Sequence, residues 1–324
     1  PQTINYQLQA IFVLMKAIVY KSTGSWYVVK TAEGQMMNAR IKGIFKIDGF
    51  TSTNPIAVGD AVEVEIENEV EQTGLIADIY ERKNYIARTT PHKNRDRHIV
   101  ASNLDQLLLF ATLKEPRTSQ GFIDRFLVAA EAFHVPPVIA FNKRDLYGKK
   151  EMLKFEELKE MYNAIGYKVL LASIEKEEGV EDLKNALKNK TTLLAGHSGV
   201  GKSTFINTIF PELKLRTQDV SGWSGKGLHT TTFAEMFDLP FGGHIIDTPG
   251  IREFGITDIP KEELSHYFPE MRRHLHECQF NNCIHVNEPG CAIKMIVEAG
   301  DGDIVMDRYV SYYKILDSIL EKPY

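Results

Sequence analysis

Cysteine is scarce in this chain: Cys278, Cys283 and Cys291 are the only three in 324 residues. An odd set gathered into fourteen residues does not suit a disulfide framework. It reads instead as a metal site in a reducing compartment. Long hydrophobic runs are missing too. No apolar stretch approaches the roughly 18 residues of a spanning helix, so no membrane segment is expected. Ala10–Leu14 is apolar, but no basic segment precedes it and no long apolar stretch comes after it, which argues against a signal peptide. Residues 1–14 read as an upstream extension, or as a remnant from cloning, before a natural start at Met15-Lys16. No charge of one sign dominates: the formal net charge is −5, so the field of the whole molecule gives no sign of nucleic acid. Internal repeats and low-complexity tracts are also lacking. What remains is 43% hydrophobic and 25% charged, the composition of a folded globular chain long enough for two or three domains.

The texture of the chain changes twice. Residues Lys16–Lys21, Ser25–Thr31, Gln35–Ile41, Ala61–Glu67 and Gly74–Tyr80 read as short strands, punctuated by Gly24, Glu33-Gly34, Asn54-Pro55 and Gly59-Asp60. Val62, Val64 and Ile66 alternate with Glu63, Glu65 and Glu67, which predicts one apolar and one acidic face. Five strands in this space suit a small barrel of the OB type, and an SH3-like barrel would give a similar pattern. A basic segment comes next. Between Arg82 and Arg97 six basic residues face a single acid, which suits either a solvated linker or a contact to phosphate backbone. From Asn103 onward, apolar runs (Gln106–Thr112, Val138–Phe141, Tyr167–Ala172, Thr192–Ala195) alternate with helical patterns (Ile123–Phe133, Glu151–Ile165, Val180–Asn189). That alternation predicts a doubly wound α/β domain. After Ile259 the chain turns polar and helical around the cysteines.

Gly196-His197-Ser198-Gly199-Val200-Gly201-Lys202-Ser203 is a complete GxxxxGKS phosphate loop, placed between a strand-like and a helical segment and followed by Thr204. Its backbone N–H groups would cradle phosphates, Lys202 would reach the β- and γ-phosphates, and Ser203 would hold Mg²⁺. Asp247-Thr248-Pro249-Gly250 is a DxxG at a strand end, where Asp247 is a candidate Mg²⁺ ligand and Gly250 can offer its N–H to a γ-phosphate. Between them the glycine-rich run 222–232 ends in His229-Thr230-Thr231-Thr232, with Thr230 or Thr231 a candidate second Mg²⁺ ligand in a switch that senses the γ-phosphate. Asn142-Lys143-Arg144-Asp145 has the form of a guanine-reading NKxD. Asp145 can accept from the N1–H and the exocyclic amino group together, a donor pair that adenine lacks. Asn142 can bond the N7/O6 side, the Lys143 stem can lie on the ring, and Ala172-Ser173 can approach O6. Where many GTPases carry glutamine after the DxxG glycine, this chain has Ile251, which cannot orient water. His229 is the candidate replacement, against the plainer reading of an exposed loop histidine.

Cys278-x4-Cys283-x-His285-x5-Cys291 supplies three thiolates and an imidazole, a closed Cys₃His set for structural zinc; His274 and His276 are alternative ligands. In ordinary GTPases the phosphate loop comes first and NKxD late. Here NKxD comes first.

This rotated order, the HTTT at 229–232, the DTPG with its aliphatic successor and the cysteine spacing together make the chain, from about Met15 to its end, similar to the RsgA (YjeQ) family of circularly permuted bacterial GTPases. The resemblance implies an OB-fold barrel (15–82), a basic linker (83–97), an α/β P-loop GTPase domain with circularly permuted motif order (98–258) and a mostly helical zinc-binding domain (259–324). It further implies GTP hydrolysis with Mg²⁺, one structural Zn²⁺, and late maturation of the small ribosomal subunit by contact with its rRNA, in the cytoplasm. A monomer without membrane attachment is expected. The barrel segment itself holds six basic and ten acidic residues between Met15 and Glu81, so contact there must use a local patch. Two other function classes fit parts of the pattern. An RNA-binding regulatory module would use nucleotide only as a signal, and a P-loop kinase would not need NKxD.

Overall fold

Five short strands open the chain: β1 (Leu14–Ser22), β2 (Tyr27–Thr31), β3 (Met36–Ile41), β4 (Ala61–Asn68) and β5 (Thr73–Ile79). A computed structural model describes residues 14–42, 55–68, 70–89, 97–211, 234–248, 259–300 and 302–320. The strands pair in the order β1-β2-β3-β5-β4 and close through β4 and β1, with β3 and β5 parallel. Closure removes free edges, and the order fits an OB-type barrel. Val19, Val29, Val62, Val64 and Ile76 fill the interior. Val62, Val64 and Ile66 pack in the barrel core as the alternation predicts, and Glu65 between them is buried as well. The pairing with β5 shifts between Glu63 and Val64 and again between Ile66 and Asn68. Such bulges bend the strand locally, and Lys42 meets the buried Glu65 at 2.5 Å.

The barrel is tied to the hairpin beyond it through Asp60, which is wholly buried. Arg82 donates to it twice at 2.6 Å, Ser102 Oγ at 2.6 Å and the Ala57 N–H at 2.8 Å. The segment read from sequence as a linker contains β6 (Tyr85–Thr89), which forms that hairpin with β7 (Arg97–Ser102). Residues 90–96, with Lys93, Arg95 and Asp96, lie outside the described residues.

The central domain alternates as its periodicity predicts: β8 (Gln106–Ala111), α1 (Gln120–Ala132), β9 (Pro137–Phe141), α2 (Lys149–Ile165), β10 (Lys168–Leu171), α3 (Val180–Leu187), β11 (Thr191–Ala195), α4 (Lys202–Ile209), β12 (Glu235–Asp238) and β13 (His244–Asp247). The strand order is β10-β9-β8-β11-β13-β12, parallel except for β12. Every residue of β8 is buried, because helices cover both faces. Leu107 and Leu109 enter one core, Leu108 and Phe110 the other. After β8 the chain moves outward through β9 and β10; after β11 it moves the opposite way. The crevice beyond the carboxyl ends of β8 and β11 is therefore the topological switch point, where such sheets bind ligands.

The barrel continues this sheet, with Lys21 of β1 opposite Glu235 of β12. Asp238 gathers the joint: Tyr20 donates to it at 2.6 Å, His244 Nδ1 lies at 2.9 Å, and Lys30 pairs with it.

The C-terminal region, which the sequence reveals only as polar and helical, contains α5 (Pro269–Arg272), α6 (Ala292–Ala299) and α7 (Met306–Leu320). Phe268, Met271, Tyr312 and Ile315 form its core together with Val128 of α1. Beside them Arg308 is wholly buried. It donates to Asp124 of α1 at 2.5 Å and to Glu270 at 2.6 Å, and Asp124 also accepts from Tyr162 of α2 at 2.8 Å.

Candidate nucleotide and metal sites

Strand ends deliver the nucleotide motifs to one edge. β11 runs into Gly196 and the phosphate loop, and α4 starts at Lys202. Gly196 (φ +133°) passes so close to the next strand that a Cβ would sit 2.4 Å from the Phe110 carbonyl oxygen. At Gly201 (φ +100°) a Cβ would meet Asn142 Nδ2 at 2.3 Å. Both positions require glycine. The Lys202 ammonium donates to the carbonyls of Gly196 and His197 at 2.6 and 2.7 Å, inside the loop. The His197 ring packs on Phe122 of α1 with centroids 3.8 Å apart. Val200 is buried, Ser198 is exposed, and Ser203 and Thr204 are half-buried in the first turn of α4.

The base-reading turn comes directly after β9. Asn142 is almost wholly buried, with its amide spanning two loops. Its Nδ2 donates to the Val200 carbonyl at 2.8 Å, and its Oδ1 accepts from the Ile174 N–H at 3.1 Å. One amide thus fastens the phosphate loop to the loop after β10. An amide has a second N–H and a second lone pair, so a purine remains within its capacity. Lys143 adopts φ +63°, and its ammonium donates to the Glu115 carbonyl at 2.5 Å. Asp145 is exposed and accepts from the buried Ser173 hydroxyl. From sequence, Ala172-Ser173 reads as a backbone approach to O6, with the role of the Ser173 side chain left open. The spacing of 28 residues between Asp145 and Ser173 hides the side-chain link, which exists because β9 and β10 are neighbours.

β13 delivers Asp247 to the same edge. Burial pushes its carboxyl above the ordinary aspartate range, while the Lys202 charge and the Thr248 N–H oppose the rise. Lys202 thus lies near enough to Asp247 for its charge to act on that carboxylate. Thr248 is buried beside it, and its hydroxyl has no partner among the described residues. His229, Thr230, Thr231, Gly250, Ile251 and Trp223 lie outside the described residues.

Cys278, Cys283, His285 and Cys291 converge, their ligand atoms all within 4.8 Å of one another, the one such group found among the described residues. His285 Nδ1 lies 3.6 Å from Cys278 Sγ and 3.5 Å from Cys291 Sγ. Tetrahedral zinc with bonds of about 2.3 Å to sulfur and 2.0–2.1 Å to nitrogen would set these edges at about 3.6 Å. The donor set therefore fits zinc. Glu288 shapes the chain around it, accepting from the N–H groups of Ile284, Val286 and Asn287 at 2.9, 2.9 and 3.0 Å. Of the alternative ligands, His274 is engaged elsewhere, with both ring nitrogens 2.8 Å from carboxylates of Glu277 and Asp303. His276 is exposed and is not in the group.

A phosphate loop at the switch point, with a base-reading turn two strands away, defines a P-loop GTPase domain; its motif order is circularly permuted. Family models agree: residues 79–257 match the RsgA GTPase and residues 16–76 the RsgA N-terminal domain. A protein of Flavobacterium psychrophilum described as "Small ribosomal subunit biogenesis GTPase RsgA" is 50% identical over 304 residues, 94% of this chain and 93% of that one. One of Bacteroides fragilis with the same description is 46% identical over 310 residues, 96% of this chain and 99% of its own. The crystal structure of YjeQ from Thermotoga maritima superposes with a TM-score of 0.79 at 36% identity, covering 96% of this chain and all of that one. That of YloQ, described as a circularly permuted GTPase, gives 0.74 at 30% identity, covering 96% and 97%. The chain belongs to the RsgA GTPase family and is a GTP-hydrolysing enzyme.

Proposed function

We propose that this GTPase binds the small ribosomal subunit, assists its late maturation, and couples subunit-stimulated hydrolysis to its own release. The observation that carries the nucleotide part is the Asn142 amide, which locks base-reading turn and phosphate loop into one pocket. The description of its relatives as small-subunit biogenesis GTPases supports the choice of particle.

In this reading guanine is held by Asn142, Lys143, Asp145 and Ser173, and phosphates by the loop Gly196–Ser203 with Thr204 and Gly250. Mg²⁺ is held by Ser203 and Asp247, with Thr230 or Thr231 completing its shell. Mg²⁺ would neutralise charge on the β- and γ-phosphates. His229 would position the attacking water that Ile251 cannot. Zn²⁺ at Cys278, Cys283, His285 and Cys291 would fix the C-terminal module, with no position left for catalysis. The working division is a barrel (15–82), a basic segment (83–97), the GTPase domain (98–258) and the zinc module (259–324). The barrel, the basic segment and the zinc module supply the surfaces for rRNA. The protein acts in the cytoplasm, where the particle matures, as a monomer. Among the described residues no helix is long and apolar enough to cross a membrane.

GTP turnover measured with added small subunits, large subunits and naked rRNA tests the proposal. Small subunits alone should accelerate it. Acceleration by naked rRNA to the same degree, or by neither subunit, would point to an RNA-binding module in which hydrolysis is incidental.

A further inference from the structure

Lys143 sits at φ +63°, in the left-handed region that non-glycine residues rarely adopt. A turn held there needs outside support. The peptide that enters it carries the Asn142 carbonyl, and Tyr147 O–H donates to that carbonyl at 2.7 Å. The same phenol oxygen accepts from the Leu113 N–H at 2.9 Å. Leu113 belongs to the loop between β8 and α1, and that loop also takes the Lys143 ammonium on the Glu115 carbonyl. Lys114 Nζ returns to the Leu146 carbonyl at 3.4 Å. Turn 142–147 and loop 112–115 are therefore zipped together, with the Tyr147 hydroxyl at the centre. It is the one group in the zipper that touches both backbones at once.

We propose that Tyr147 is a positioning residue for guanine recognition. Its hydroxyl fixes the orientation of the Asn142–Lys143 peptide, and with it the direction in which Asn142, Lys143 and Asp145 present themselves to the base. This rests on the reading that Asp145 contacts guanine. Tyr147 itself faces the two backbones and contributes through them. Burial, opposed by the Leu113 N–H and aided by the nearby Asp145 charge, pushes the phenol up to about 12. It remains a neutral donor at every working pH, so the clamp does not loosen by titration.

The phenol also explains why a bulky residue stands two positions after the aspartate of the motif. Asn142 must hold Val200 and Ile174 with its side chain, which leaves its carbonyl to be fixed by something else. Arg144 N–H, bonded to the Ala172 carbonyl at 3.0 Å, pins the turn on the β10 side. Tyr147 pins it on the β8 side. The Asn142 N–H, bonded to the Ala111 carbonyl at 2.8 Å, holds the start of the turn on that side, and the Tyr147 hydroxyl fixes the carbonyl that follows it.

Tyr147→Phe keeps the ring and removes the clamp. Inosine nucleotides lack the exocyclic amino group, so the ratio of kcat/KM for GTP over ITP reads how well Asp145 meets that group. The variant should raise KM for GTP roughly tenfold, leave kcat at saturation unchanged, and shrink the GTP/ITP ratio. Tyr162→Phe is the control: it removes another buried phenol, one bonded to Asp124 away from the base turn, and should lower thermal stability with the ratio intact. A Tyr147→Phe protein that loses stability yet keeps the wild-type ratio overturns the proposal. Asp145→Asn separates the two levels. If it collapses the ratio while Tyr147→Phe does not, Tyr147 alone has been misassigned; if it leaves the ratio intact, the guanine reading itself fails. Amide exchange in the unaltered protein gives a second measurement that needs no variant to fold. GDP should slow exchange at Leu113 together with residues 143–147, and by more than IDP does; independent responses of the two segments would count against the clamp.

Discussion

In the proposed reading Asp145 is the residue on which base choice turns, and its surroundings bear on how. It is exposed, with one carboxylate oxygen steadied by the Ser173 hydroxyl. Xanthine carries a carbonyl where guanine carries the 2-amino group. Asp145→Asn would face that carbonyl with an amide donor while still accepting from N1–H. The variant should lose about a hundredfold or more in kcat/KM for GTP and prefer XTP; competing turnover assays with the two nucleotides check this, and a retained preference for GTP would remove Asp145 from the base site. A second single-residue effect concerns pH. Hydrogen bonding to Glu277, with Asp303 on the other ring nitrogen, raises the His274 pKa despite the opposing effect of burial. Two carboxylates at 2.8 Å demand two N–H donors, hence the imidazolium. A raised value means that the stabilisation is complete below the ordinary 6.5 and is lost as pH rises through the folded-state value. Thermal midpoints of the zinc-loaded protein and of His274→Gln should differ at about pH 6 and converge in alkaline buffer. A gap that stays constant with pH would show that His274 acts by shape alone.

At the level of elements, the joint among α1, α2, α5 and α7 is the most exacting. Arg308, Asp124 and Glu270 are fully buried, and Arg308 also lies over the Phe268 ring, 4.6 Å from its centroid. Removing the cation alone strands two carboxylates, which costs about 3–5 kcal/mol or more. Arg308→Met should therefore lower the thermal midpoint strongly and speed amide exchange along α7. Replacing all three with apolar residues of like volume should restore much of the loss; failure to do so would mean the charges specify the docking itself. Nothing in the sequence pattern announced this joint, because Asp124, Glu270 and Arg308 are far apart in the chain and each looks like an ordinary surface residue of its helix. Local signals fared differently. The five barrel strands, the alternating strands and helices from Gln106 to Asp247, and the helix after the phosphate loop were legible, since each obeys a short-range periodicity. The β6–β7 hairpin was not, because the basic residues around it dominate the segment and mask the short apolar stretches holding Ile86, Ile99 and Ala101, which are buried. At the site, glycine spacing and residue type made the GxxxxGKS loop and the Cys₃His cluster legible, whereas the bracing by Asn142, Ser173 and Tyr147 depends on which strands end side by side.

Across the whole molecule, the permuted order determines where the other modules attach. The barrel enters ahead of β8 and is stitched to β12 through Asp238 and to β6–β7 through Asp60. The zinc module leaves after β13 and returns to dock on α1, whose Phe122 lies against His197 of the phosphate loop. Two routes therefore join that module to the nucleotide: the covalent connection from Gly250 to Cys278, and the docked face centred on Arg308. The connection starts at the DxxG, where the γ-phosphate would be sensed, so it is the shorter path from hydrolysis to the module. The docked face is built from buried charges and packed rings, so it holds the module in place through the cycle and does not itself register the phosphate. A flexible insert between Ile251 and Ile259, ahead of Leu264, Phe268 and Glu270 of the docked face, acts on the first route and spares the second. Such a protein should keep its fold, its zinc and its subunit-stimulated GTP turnover, while release of the small subunit after hydrolysis slows. Sedimentation of the protein with small subunits in GDP, compared with a non-hydrolysable GTP analogue, measures this directly. If the insert leaves release as prompt as before, the signal runs through α1, and weakening the Phe122–His197 contact becomes the variant expected to break it.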